Sequence, residues 1–192
     1  MSEFSAALIA GGRSRRMGQD KAFLDWHGRP LWEHQLEKLR GLAPARLLLS
    51  CRSDQPFPLQ PDVLPVRDEW SDCGPLGGVA SCLRVCDVPL LAVLGIDLPL
   101  LPSTFLGYLL TECTAQCGAV ISLEGNYFEP LAAVYPRTIL ELAENQIAGG
   151  RWAMQEFIRR GMEQGMMRRV NVAVEAPWFT NVNAPGDLTP MN

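Results

Sequence analysis

The strongest constraint on the fold is a repeated alternation of short, continuously apolar runs with longer segments whose apolar residues recur at helical spacing. Ala6 to Ala10 is the first such run and closes on Gly11-Gly12, as a buried strand delivering the chain into a turn would. A loop follows through Asp20. Pro30 then stands at the first helical position, and Trp32, Leu36, Leu39 and Ala43 mark one helix face until Pro44. The same grammar returns with strands at Leu47-Leu48-Leu49 and Val63 to Val66, and a helix from Pro75 carrying Leu76, Val79 and Leu83. A strand at Pro89 to Gly95 and a helix from Ser103 to about Thr111 come next, with Ser103 as its N-cap. Strands near Ala119 to Leu123 and Leu131 to Tyr135 precede helices near Arg137 to Asn145 and Arg151 to Gly161. A last strand, about Arg169 to Val174, leads to Asn181-Val182-Asn183-Ala184-Pro185, where Asn183 or its neighbour caps a final short helix. Strands apolar on both faces and alternating with helices predict an α/β fold, a Rossmann-like three-layer sandwich whose mostly parallel sheet carries helices on both faces. No linker or repeat interrupts it, so residues 1–192 read as one domain.

Charge and cysteine usage narrow the function. A net charge of −4 argues against a nucleic-acid surface, and the one dense basic cluster, Arg13, Arg15, Arg16 and Lys21, has the size of a phosphate pocket. The longest apolar run, Val88 to Leu101, contains Asp97 and two prolines and is too short to span a bilayer. Glu3 and the Arg-rich loop break up any secretory signal, so a cytoplasmic protein is expected. The six cysteines form no C-x-x-C pair and have two histidines to complement them, which favours free thiols over disulfides or zinc. His27, His34 and the five tryptophans have no spacing that sets them apart from surface or packing residues.

Ligands of open α/β sheets bind beyond the carboxyl ends of the strands, which directs attention to three segments. The first runs from Gly11 to Lys21. Its glycines let backbone N–H groups approach phosphate oxygens, and its arginines and lysine add the charge a triphosphate needs. It matches neither G-x-x-x-x-G-K-[ST] nor G-x-G-x-x-G, and an exposed basic turn is the alternative. The second is Asp97, directly after the most apolar strand. A carboxylate there must be hydrated, hydrogen-bonded or bound to a cation; Mg²⁺, which takes one or two carboxylates plus phosphate oxygens, suits it, and a turn-organising aspartate before Pro99 is the alternative. The third, Asn181 to Pro185, is by itself a turn with a helix cap.

Taken in order, these pieces resemble the molybdenum cofactor guanylyltransferases, within the superfamily of sugar-phosphate nucleotidyltransferases and their nucleotide-diphospho-sugar transferase type of fold. The resemblance rests on Ile9-Ala10-Gly11-Gly12-Arg13-Ser14-Arg15-Arg16-Met17-Gly18, Asp20-Lys21, Gly74-Pro75-Leu76-Gly77-Gly78, Asp97-Leu98-Pro99, Pro130-Leu131 and Asn181-Val182-Asn183-Ala184-Pro185, and it runs nearly the full length. It implies that Ile9, Ala10 and Gly11 line the nucleotide, that Gly12 and Arg13 fold over its phosphates, and that Lys21, Arg16 and Asp97 are the catalytic residues. Asp97 would hold Mg²⁺, Ser50 and Asp68 would contact base or ribose, Gly77 and Gly78 would begin a helix beside the guanine, and Asn181 and Asn183 would face the acceptor or complete the metal environment. The implied reaction moves GMP from GTP to molybdopterin and releases pyrophosphate, with molybdoenzymes or their chaperones as the implied recipients, and no nucleic acid or membrane partner. Ala10-Gly11-Gly12 favours GTP, since cytidylyl-transferring relatives carry Ala-Ala-Gly. One departure stands out: Glu129 precedes Pro130 where the family usually has Gln or His, and it would repel an anionic acceptor unless it points away or pairs with an arginine such as Arg151. Arg168 and Arg169 are either acceptor ligands or a solvated strand end. Two other functions stay open: the same enzyme class with CTP or another acceptor, and a non-catalytic protein that binds GTP or cofactor.

Overall fold

The computed structural model describes residues 2–11, 20–58, 60–70, 72–123, 127–171 and 176–181. Gly12, Arg13, Arg16 and Asn183 lie outside them, as does the proposed cap of a last helix. The described chain runs β1 (Phe4–Ile9), β2 (Asp25–Trp26), β3 (Arg29–Pro30), α1 (Leu31–Arg40), β4 (Leu47–Cys51), β5 (Val63–Arg67), α2 (Pro75–Val85), β6 (Leu90–Gly95), α3 (Ser103–Thr111), β7 (Gly118–Ser122), β8 (Phe128–Pro136), α4 (Leu140–Ala148), α5 (Met154–Glu163) and β9 (Met167–Val170). Short 3-10 turns occupy Lys21–Phe23, Arg137–Ile139 and Ala176–Phe179.

Seven strands form one sheet in the order β5-β4-β1-β6-β8-β7-β9, and β2 pairs with β3 in a separate hairpin. Pairings β1–β4, β1–β6, β4–β5 and β7–β9 are parallel, whereas β8 runs antiparallel to both β6 and β7. The sheet is therefore mostly parallel, as expected, with one reversed strand. The residues explain the ordering. β1, β4 and β6 are buried along their whole length and take the centre, while β5 exposes Leu64, Pro65 and Arg67, and β9 exposes Arg168 and Arg169. Leu76, Val79 and Leu83 of α2, Leu142 and Ile147 of α4, and Phe157 and Ile158 of α5 pack with Ala7 and Ile9 on one face. Trp32, Leu36 and Leu39 of α1 and Phe105, Leu106 and Leu109 of α3 pack with Phe4, Ala6 and Leu8 on the other. Alternate residues of β1 thus feed two cores.

Several boundaries differ from the sequence expectation. Ser103 starts α3 at its first helical residue, Pro102 holds the cap position, and no side chain caps the helix. The helix expected from Arg137 opens as a 3-10 turn, and the one expected from Arg151 starts at Met154 because Gly149 and Gly150, the latter at φ 69, occupy the turn between α4 and α5. The last strand starts at Met167, ahead of the expected Arg169. The hairpin at Asp25 to Pro30 turns on His27 (φ 54) and Gly28 (φ 84), a left-handed pair that lacks the Asn-Gly or Asp-Gly signature by which such turns are read from sequence. No helix among the described residues is long and apolar enough to cross a membrane.

Candidate active site

The chain steps from β1 through β4 to β5 on one side, then returns to place β6 on the other side of β1. This reversal makes the carboxyl ends of β1 and β6 the switch point where α/β sheets bind ligands. Ile9 lies opposite both Gly95 and Ser50. The Ile96 amide donates to the Ile9 carbonyl at 3.1 Å and the Ala10 amide to the Ser50 carbonyl at 3.0 Å, so Ala10-Gly11 and Ile96-Asp97 leave the sheet side by side. The Asp97 carboxylate folds back over the strand end, with Oδ1 2.6 Å from where a Cβ on residue 95 would sit. Only glycine at position 95 leaves that space. Helix α1 braces the turn: Gln35 Nε2 donates to the Gly95 carbonyl at 2.9 Å, and Lys38 Nζ donates to the carbonyls of Pro99 and Leu101. Burial lowers the Lys38 ammonium to about 8.

A second carboxylate reaches the same place. Because β8 is antiparallel to β6 with Leu94 opposite Ala132, the start of β8 comes to the end of β6, and Glu129 arrives beside Asp97. Glu129 is 9% exposed and accepts from the Leu131 amide at 3.2 Å. Burial raises its carboxyl to about 7, the Asp97 charge adds to the rise, and the Leu131 amide opposes it. Arg151, the arginine named as one possible partner, pairs with Glu156 at 3.4 Å. A group raised in the folded state holds its proton there while the unfolded chain releases it, so stability falls as pH climbs from about 4.5 to about 7. A shift of this size corresponds to about 3 kcal/mol. Glu129→Gln, which keeps the acceptor for Leu131, should match the parent's melting temperature at pH 4.5 and exceed it by roughly 5–10 °C at pH 8 in chelator-treated buffer. An offset that is the same at both pH values would show that the carboxyl is not the cause.

Lys21 follows Asp20, which caps its 3-10 turn by accepting from the Ala22 amide at 3.1 Å. Arg52 and Gln55, in the turn after β4, bond both to Asp20 and to the carbonyls of Ala10 and Gly11. Lys21 and Asp97 therefore start from segments that are both tied to the end of β1.

The remaining expected residues are placed unevenly. Gly78 of α2 faces Ser50, whose Oγ is 2.7 Å from the position of a Cβ on residue 78. Ser50 is fully buried and its hydroxyl has no hydrogen-bond partner, so it reaches a nucleotide only if the first turn of α2 shifts. Asp68 lies against the same turn, its Oδ1 2.8 Å from a Cβ built on Gly77. Burial raises the Asp68 carboxyl, and the Trp70 amide, donating to it at 3.0 Å, opposes the rise. Asn181 is exposed and follows the turn whose Trp178 and Phe179 rings pack on Phe105; no described contact joins it to Asp97. Arg168 pairs with Glu112, and Arg169 sits over the Phe128 ring. Gln35, Lys38, Arg52 and Gln55 were missed, although a signal existed: Gln35 is a polar residue on the apolar stripe of α1, and Arg52 directly follows a buried strand with Gln55 in the turn beyond it.

Oxygen donors at the switch point suit a hard cation. Among the described residues no group of three or more His, Cys, Asp or Glu side chains could hold a metal. Asp97 with Glu129 beside it matches an ion that takes one or two carboxylates and completes its shell with phosphates and water.

A mostly parallel sheet with paired strand exits, a helix whose first turn carries Gly77-Gly78 and a strand-terminal carboxylate make this an α/β protein with its candidate site at the carboxyl edge of the sheet. The chain belongs to the MobA-like NTP transferase domain family, whose family model matches residues 6–165. It is 35% identical over 190 residues to a probable molybdenum cofactor guanylyltransferase of Opitutus terrae, covering 97% of this chain and 93% of that protein. A molybdenum cofactor guanylyltransferase of Xanthomonas euvesicatoria is 33% identical over 184 residues, 95% and 90% of the two chains. The fold superposes on molybdopterin-guanine dinucleotide biosynthesis protein A of Archaeoglobus fulgidus with a TM-score of 0.74 at 23% identity, covering 96% and 94%.

Proposed function

We propose that this protein transfers GMP from GTP to the terminal phosphate of molybdopterin, forming molybdopterin guanine dinucleotide and pyrophosphate. The observation that carries the reading is the convergence of the β1 exit, the Asp97 turn and the glycine start of α2 on one sheet edge. In this reading the acceptor phosphate, already ionised near neutral pH, attacks the α-phosphorus of GTP in line, and the bond from that phosphorus to the bridging oxygen of the β-phosphate breaks. No protein nucleophile is needed. The chain aligns the two phosphates and stabilises charge that develops on the α-phosphoryl and pyrophosphate oxygens. Asp97 would hold Mg²⁺, which supplies neutralising charge at the triphosphate, and Glu129 lies near enough to share that duty. Lys21 would neutralise the β- and γ-phosphates. Gly77 and Gly78, which let the first turn of α2 close on Asp68 and Ser50, would set that turn beside the base. Arg13, Arg16 and Asn183 belong to this proposal through the family resemblance alone.

Incubation with molybdopterin, Mg²⁺ and either GTP or CTP, with the product identified by mass, tests the reading directly. The guanine dinucleotide should form with stoichiometric pyrophosphate, and CTP should give little product. Pyrophosphate release with a different phosphorylated acceptor and not with molybdopterin would overturn the acceptor; tight GTP binding without turnover would overturn the enzyme.

A further inference from the structure

We propose that Arg52 and Gln55 are positioning residues for Lys21, acting together as a strut that sets the lysine's place relative to the end of β1. The proposal rests on the reading of Lys21 as a triphosphate ligand.

The bonding is two-sided. Gln55 Nε2 donates to the Ala10 carbonyl at 2.9 Å and to Asp20 Oδ2 at 2.7 Å. Arg52 divides its guanidinium similarly, with Nη1 donating to the Gly11 carbonyl at 3.2 Å and Nη2 to Asp20 Oδ2 at 3.1 Å. Each side chain therefore bridges the start of the segment that leaves β1 and the residue directly before Lys21. The strut is itself held: the Arg52 amide donates to Gln55 Oε1 at 2.8 Å, and Arg52 Nε donates to Asp54 at 3.0 Å. Gln55 is 9% exposed, and the Arg52 and Asp20 side chains are each 21% exposed, so these bonds are shielded from water more than a surface ion pair would be.

Two physical consequences follow. Lysine brings a point charge on a flexible stem, so its usefulness to a phosphate depends on how well its backbone is fixed. Asp20 fixes that backbone through the cap on Ala22, and the strut fixes Asp20. Electrostatics adds to this. A carboxylate one residue from a phosphate-binding lysine would repel the triphosphate if it stood alone, and the Arg52 guanidinium neutralises it.

A purely structural tie would also lose stability when cut, so the decisive measurement is coupling to Lys21. Calorimetric titration with Mg²⁺ and GTP should be run on the parent, Gln55→Ala, Arg52→Ala, Lys21→Ala and the two double variants, with melting temperatures recorded for each. Gln55→Ala and Arg52→Ala should each weaken GTP binding by about tenfold in the parent background, and by no more than about twofold once Lys21 is absent. Equal factors in both backgrounds would overturn the proposal while leaving Lys21 as a ligand. Undiminished GTP affinity in Lys21→Ala alone would overturn the triphosphate role of Lys21 and this proposal with it. Gln55→Glu and Arg52→Lys guard against simple unfolding. Gln55→Glu sets a second carboxylate against Asp20 and should bind GTP more weakly than Gln55→Ala. Arg52→Lys keeps the charge without the fork and should fall between parent and Arg52→Ala. The reverse order in folded variants would also refute the strut.

Discussion

Asp97→Asn is expected to lower kcat for pyrophosphate release by about 10²–10³-fold while leaving the melting temperature within about 2 °C of the parent. The substitution keeps the size and shape of a side chain that folds over Gly95, and the half-buried position tolerates a neutral amide, so the fold should not register the change. What disappears is the negative charge that the proposed cation needs. Binding of Mn²⁺ in the presence of GTP, followed by its paramagnetic signal, should weaken in parallel with kcat. A folded Asp97→Asn protein that turns over within a few-fold of the parent would remove this carboxylate from the chemistry and leave Glu129 as the remaining candidate at that edge.

Gly118→Ala should have the largest effect on stability, at about 3 kcal/mol or more, with the melting temperature lowered by roughly 10 °C. A Cβ at this position would lie 2.1 Å from the Val134 carbonyl oxygen, 2.8 Å from Pro136 Cδ and 3.0 Å from Met167 Sδ. The first of these is backbone in the neighbouring strand and cannot rotate aside. Relief requires β7 and β8 to separate where Ala119 faces Val134, beside the bond from the Gly118 amide to the Met166 carbonyl at 2.9 Å. Thermal melts of the purified variant would check this. A loss below about 1 kcal/mol would mean that the strands have slack the packing does not suggest.

The sequence disclosed the sheet well because its central strands are short apolar runs closed by glycine or polar residues, too short for an ordinary helix. Leu90–Gly95 and Ser103–Thr111 were found nearly to the residue. The direction of β8 was not legible, since apolar content at Leu131 to Tyr135 is the same whichever way the strand runs. That is also why the surroundings of Glu129 stayed open in the sequence. A sequence shows that it departs from relatives, while its pairing depends on where an antiparallel neighbour begins. Glycines at 77, 78 and 95 were visible as letters, but the atoms each one makes room for, Asp68, Ser50 and Asp97, emerge only from helix and strand approach. Arg52 and Gln55 are ordinary polar residues on paper; their bonds to Ala10, Gly11 and Asp20 bring together segments more than thirty residues apart.

The reversed strand has a wider implication. By entering the sheet against its neighbours, β8 contributes its opening residues to the very rim where β1 and β6 finish. Replacing the residue at 129 alters the charge of that rim while the apolar residues that follow it, Ala132, Ala133, Val134 and Tyr135, go on packing into the two cores on either face of the sheet. The side chain that sets the charge of that rim is thus a different one from those that hold the layers together.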